Sequence, residues 1–241
     1  MQYLPAMRRR RAVLLLFALI APLRAGASPS DPLWSRAVEA SARAAQWSPG
    51  EMRLAIEMAD DAGTVLETWD NRYRLSIGES GTLRTEVVSA LHNGKDETEK
   101  ERKAQEKRER RMEAEGATSM SGFGDDPFAS TVQESVQIRR LDAQREIAGT
   151  TCIGYDFTIT KPKNVTVEGT AWLEAATGIP VECTSSTKPL PPAVHEMSTV
   201  VRYDEGLVTE VRVEGSGSLL FFKRRFVSVI TLAGWFQRPG G

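Results

Sequence analysis

Residues 150–187 constrain the fold more than any other stretch. They read TTCIGYDFTIT, KPKN, VTVEGTAWL, EAATG, IPVECTSST. Apolar and polar side chains alternate through the three long segments, and Pro, Asn or Gly mark each break between them. Period two with turn residues at hairpin spacing describes three consecutive antiparallel strands. Setting Ile159 opposite Val165 puts Tyr155 opposite Gly169 and Ile153 opposite Ala171. Setting Leu173 opposite Ile179 puts Ala171 opposite Val181 and Gly169 opposite Cys183. In this register Tyr155, Phe157, Ile159, Val167, Leu173 and Val181 share one apolar face. Gly169 then leaves room for the Tyr155 ring or permits strong coiling. Trp172 falls on the other face, beside Cys152, where packing under the N-terminal helix or a neighbouring segment accounts for it.

The same parity bears on the two cysteines of the chain. Cys152 belongs to the polar face and Cys183 to the apolar one, on strands that flank a third. Non-adjacent strands lie about 9–10 Å apart, whereas bridged Cα atoms sit within about 7 Å. Both thiols are therefore expected to be free, with Cys152 the more accessible.

The alternation extends in both directions. Met52, Leu54, Ile56 and Met58 mark one strand, Val65 to Ile77 a longer one, and LRTEVVSAL (83–91) a third, with DDAG and GESG as turns. EMSTVVRY (196–203), LVTEVRVEG (207–215) and SLLFFKRRFVSVITL (218–232) follow the meander. Ahead of them all, SDPLWSRAVEASARAAQW (30–47) has the marks of a helix. Ser30 or Asp31 can cap it, Pro32 suits its first turn, and Trp34, Val38 and Ala45 share a face. The expected fold is mostly β with an N-terminal helix (α+β): a curved antiparallel half-barrel sheet of eight to nine strands, covered by helix.

One segment breaks the pattern. HNGKDETEKERKAQEKRERRMEAEG (92–116) carries almost no apolar residue, and its acids and bases balance. Glu99 with Lys103 and Glu106 with Arg110 have helical spacing. Residues 92–131 are expected to form a charged helical or disordered insertion, dispensable for folding or used as a docking arm. Phe123 and Phe128 are its possible anchors.

The N-terminus resembles a secretory leader. Arg8 to Arg11 precede the apolar run AVLLLFALIA, which is too short to span a bilayer, and AGA (25–27) supplies small residues before a cleavage site after Ala27. This makes 1–27 a signal peptide, 28–241 a single mature domain, and the periplasm the expected compartment. The whole chain has 32 acidic and 31 basic residues. Five of the bases lie in the leader, so the mature chain is acidic and nucleic acid is excluded as a partner. His92 and His195 are the only histidines, neither at ligand spacing, so no metal or other cofactor is expected. No nucleophile elbow, P-loop or dinucleotide fingerprint occurs, and an enzyme is not expected.

The order signal, helix, meander, with GTTCIGYDF followed by GTAWLEAATGIPVE, resembles the lipoprotein-carrier superfamily of Gram-negative bacteria. That superfamily includes the outer-membrane lipoprotein-sorting (LolA/LolB-like) proteins. The final SLLFFKRRF is similar to their last strands. The resemblance covers about 30–91 and 132–232, with the insertion outside it. It implies a half-barrel binding a lipid or the acyl chains of lipoproteins, without catalytic residues. The six apolar-face residues are the candidate ligand contacts, if that face is a cavity rather than a packed core. The alternatives are a sensor or interaction module of the same fold, engaging a membrane-associated protein, and an unrecognised hydrolase.

Overall fold

The computed structural model describes residues 31–78, 83–114, 126–219 and 222–238. The expected leader and Phe123 lie outside the described residues. Helix α1 (Pro32–Ala44) starts where Asp31 Oδ1 accepts hydrogen bonds from the backbone N–H groups of Leu33 (2.9 Å) and Trp34 (3.3 Å). That satisfies two donors that a helix start leaves unpaired. The strands are β1 (Trp47–Ser48), β2 (Glu51–Ala59), β3 (Val65–Ile77), β4 (Leu83–His92) and β5 (Lys95–Asp96). Helix α2 (Thr98–Ala114) follows. The second run is β6 (Val136–Ile147), β7 (Thr150–Lys161), β8 (Val165–Glu174), β9 (Pro180–Lys188), β10 (Val194–Asp204), β11 (Leu207–Leu219), β12 (Phe222–Ala233) and β13 (Phe236–Gln237).

Eleven of these strands form one antiparallel sheet in the order β5-β4-β3-β2-β12-β11-β10-β9-β8-β7-β6. Two meanders, β2–β5 and β6–β12, are thus joined where β12 pairs with β2. The small pair β1–β13 stands apart from the sheet. The sheet is curved and open, as the half-barrel expectation has it. Register carries one face across it: Tyr155, Ala171, Cys183, Val201, Val211, Ile230, Leu54, Asn71 and Ala90 form a continuous row.

Both ends of this inner face are covered. Under α1, Trp34 and Ala37 pack with Phe128, Ile138, Tyr155, Phe157 and Leu173 into the larger core. The Trp34 ring lies 4.9 Å from that of Phe128 and 5.7 Å from that of Tyr155. The Tyr155 hydroxyl donates to Asp31 Oδ1 at 2.8 Å, so the helix cap also partners the core. At the other end Tyr73, Leu75, Val87 and Ala90 form a smaller core, and α2 packs against β4 above it. Between the two, Leu54, Ile56, Met58, Met197, Val213 and Phe226 are only half-buried.

The predicted strand faces hold, but the register does not. Tyr155 faces Ala171, not Gly169; Phe157 faces Gly169; Ile153 faces Leu173. Ala171 faces Cys183, not Val181. The first shift arises in a 3-10 turn, Pro162–Asn164, where Lys163 and Asn164 both adopt positive φ and close the connection in three residues, with Lys161 paired to Val165. The second arises at a bulge: Leu173 pairs with Pro180 and Trp172 with Glu182, which leaves Val181 out of the ladder. Both slips are by two residues, so inward side chains stay inward.

Gly169 therefore makes room for Phe157. A Cβ there would lie 2.7 Å from the Phe157 ring and 2.0 Å from the Thr184 carbonyl oxygen. Gly215 repeats the device against Phe226, at 2.7 Å. Each aromatic ring covers a glycine across the ladder, which lets the sheet coil without opening a void.

Both cysteines are free, as expected, but both are buried. Cys152 is not accessible on its outer face. The ladder of β6 with β7 skips between Arg140 and Gln144, and Leu141 reaches over Gly154 and Trp172 beside it. The Arg145 guanidinium sits 5.7 Å from the Trp172 ring centroid. Trp172 thus packs under a neighbouring segment. Residues 136–147, outside the strands that the alternation picks out, form β6.

Candidate functional site

A cavity of about 490 Å³ opens on the inner face between the two cores. Its floor comes from β2, β3 and β4 on one side (Met52, Leu75, Leu83) and from β10 and β11 on the other (Met197, Val201, Val213). The C-terminal end of α1 contributes Ser41, Ala44 and Ala45, and Trp47 and Trp235 come from the β1–β13 region. Inner-face hydroxyls of Thr85, Ser185, Thr187 and Thr199 interrupt the apolar lining. The volume is in the range of about 300–1,000 Å³ that holds one small ligand. Trp47, at 40% exposure, is the exposed large apolar side chain of the lining.

Two charged side chains line this space, Asp126 and Arg238. Asp126 Oδ2 accepts from the Ser41 hydroxyl at 2.7 Å, and Oδ1 accepts from the Phe128 backbone N–H at 3.0 Å. Desolvation raises its pKa above the usual carboxylate value, against the pull of these two bonds. Burial also pushes the Cys183 thiol and the Tyr203 hydroxyl well up, and the negative charge of Asp126 adds to both shifts. A thiol held in its protonated form is a poor nucleophile. Arg238 is anchored differently: its Nε donates to the Ser48 hydroxyl at 2.7 Å, and its backbone N–H donates to the Gln46 carbonyl at 2.8 Å. Trp235 Nε1 is buried with no hydrogen-bond partner. Among the described residues no three His, Cys, Asp or Glu side chains gather as a metal ion requires. No described helix is long and apolar enough to cross a membrane.

No family model matches the chain, and no curated protein does. Solved structures similar to it include a DUF1329 family protein from Desulfovibrio piger, at 12% identity and TM-score 0.37, over 89% of this chain and 95% of that one. A LolA superfamily protein from Nitrosomonas europaea matches at 10% identity and TM-score 0.34, over 87% and 93%. A putative outer membrane lipoprotein-sorting protein domain from Vibrio parahaemolyticus matches at 9% identity and TM-score 0.27, over 86% and 94%. Two of the three bear the family names that the sequence resembles. Likenesses this distant carry no argument about activity, so the functional reading rests on the cavity's own residues.

None of the six sequence-selected residues lines that cavity. Tyr155, Phe157, Ile159, Val167 and Leu173 are each at most 2% exposed, in the packed core under α1. Val181 is the half-buried bulge residue. The apolar face they define is real and runs on into the cavity floor, with Cys183 the shared wall between core and cavity. Sequence reasoning passed over Met197, Val201 and Val213, whose alternation was visible. It also passed over Trp235 and Arg238, which follow the last long strand and carry no pattern.

Proposed function

We propose that the protein is a periplasmic, non-enzymatic carrier that shelters the apolar chain of a lipid or of an acylated protein. The supporting observation is the half-open cavity between α1 and the inner sheet face, with an apolar floor and the exposed Trp47 in its lining. Each methylene moved there from water contributes about 0.8 kcal/mol. Two of the titratable groups facing the space favour this reading over hydrolysis. Burial holds the Cys183 thiol and the Tyr203 hydroxyl protonated, and neither histidine lines the wall as a base.

Native mass spectrometry of protein from a periplasmic fraction tests the reading. The wild type should carry an added mass that organic solvent extracts, and Val201→Trp, which fills the cavity, should lose it. A bare wild-type mass that also takes up no added hexadecanol would defeat the proposal. A co-purifying polypeptide in place of an extractable lipid would favour the sensor or interaction module.

A further inference from the structure

The polar groups of the cavity are not spread evenly, and their arrangement bears on what the bound molecule carries at its end. On the side of α1, the Asp126 carboxylate has its own donors, the Ser41 hydroxyl and the Phe128 N–H. On the β1–β13 side the situation is reversed: the polar groups are donors, and one of them lacks an acceptor. Trp235 Nε1–H is buried and unpartnered, although the same residue lines the cavity. A buried N–H left without an acceptor is unfavourable, and native structures rarely keep one without a use.

Arg238, three residues further along the chain and lining the same cavity, is held at two points. Its backbone N–H continues the β1–β13 ladder to Gln46, and its Nε reaches the hydroxyl of Ser48, a residue with no exposed surface. No carboxylate among the described residues forms an ion pair with it. An anchored guanidinium keeps a fork of N–H donors that matches carboxylate or phosphate oxygens, and fixing it in advance reduces the entropy lost on binding. Both residues thus line a space whose floor includes Met52, Leu75, Met197 and Val213.

We infer that the ligand is an anionic amphiphile, its carboxylate or phosphate oxygens set against Arg238 and Trp235 Nε1 and its chain lying along the apolar floor. This rests on the carrier reading and deepens it. The head gives the indole N–H the acceptor it lacks, while the Asp126 carboxylate already has its own donors in Ser41 and Phe128.

The test compares heads on one chain. Hexadecanoate, hexadecyl phosphate and hexadecanol are titrated against the delipidated full-length mature protein by calorimetry, with acetate and inorganic phosphate as headless controls. Both anionic amphiphiles should bind about tenfold more tightly than hexadecanol, the effect of one charge-assisted contact. The two anionic heads separate a carboxylate ligand from a phosphate one, and acetate and phosphate alone should not bind measurably. Arg238→Gln should erase the preference while leaving hexadecanol affinity within twofold, and Arg238→Lys should restore most of it. Trp235→Phe should weaken the anionic amphiphiles several-fold. Equal affinity for all three chains, or equal loss of all three in Arg238→Gln, would overturn the inference and leave the carrier reading standing. Binding of free phosphate as tight as that of hexadecyl phosphate would overturn it in favour of a simple oxyanion site. If no chain binds, the inference and the carrier reading fail together.

Discussion

Asp31 and Asp126 show how much one carboxylate can hold. Asp31 caps α1, accepts the Tyr155 hydroxyl and lies 3.8 Å from the Arg140 guanidinium. Asp31→Ala removes a cap worth about 1 kcal/mol. It also strands a buried hydroxyl at a cost of about 1–3 kcal/mol. Urea denaturation should show a loss of about 2–4 kcal/mol, and Tyr155→Phe, which deletes the hydroxyl with its need, should lose far less. Asp126 works in the opposite direction. The folded protein holds its proton more tightly than the unfolded chain does, so the folded state binds more protons between the two pKa values. Stability therefore falls as pH rises from the ordinary carboxylate value of 3.8 through the raised folded value. Asp126→Asn can keep both hydrogen bonds without the charge. Thermal melts should show the variant more stable than wild type at pH 7, with the difference vanishing toward pH 3. An unchanged difference across that range would mean that Asp126 is not the titrating group. The cysteines teach a related lesson. Parity placed Cys152 outward and Cys183 inward, which is correct, but outward did not mean exposed, because Leu141, skipped by the β6–β7 ladder, reaches over Gly154 and Trp172 beside it.

The elements were legible wherever period two or helical charge pairing was unbroken. Every long strand but β6 lies where alternation put it, α1 where capping did and α2 where charge pairing did. The turns were not legible in detail, because loop length fixes register and a positive-φ pair such as Lys163–Asn164 has no apolar signal. The charged segment is the clearest element-level correction. Helix α2 forms as its spacing predicts, with Arg110 paired to Glu106 at 3.4 Å, although Glu99 pairs with Arg102 rather than Lys103. It is not merely solvated. Glu101, Ala104, Gln105 and Glu109, at helical spacing, are its less exposed residues, and the Tyr73 hydroxyl donates to Glu101 Oε1 at 3.2 Å. Thr98 Oγ1 accepts the backbone N–H of Ala90, tying the helix start to β4. Tyr73 is only 6% exposed. Replacing 97–114 by a short Gly/Ser linker should therefore uncover Tyr73, Val87 and Ala90 and lower the melting temperature by several degrees. Differential scanning calorimetry decides it; an unchanged melt would show the helix to be dispensable, as its composition alone suggests.

Across the whole molecule, the site was the part least legible in sequence, and the strand order explains why. Each meander can be read hairpin by hairpin, but the cavity exists because β12 returns to pair with β2, residues separated by most of the chain. Only that closure sets Met52 and Leu75 across from Met197 and Val213, and only the β1–β13 pair brings Trp235 and Arg238 to the wall. Pattern within a segment says which face a side chain takes. It does not say which faces will be roofed, and here α1 roofs the residues that looked most like a binding surface while the barer middle strands keep the cavity. The two regions should respond differently to a ligand. Binding stabilises the states that hold it and suppresses the local openings that destroy its site. In hydrogen exchange by mass spectrometry, saturating hexadecanoate should slow β10, β11 and the β1–β13 pair. The backbone of β7 and β8, already closed under α1, should exchange at an unchanged rate. Protection centred on β7 and β8 instead would return the binding surface to Tyr155, Phe157 and Leu173, and would require α1 to lift from the sheet.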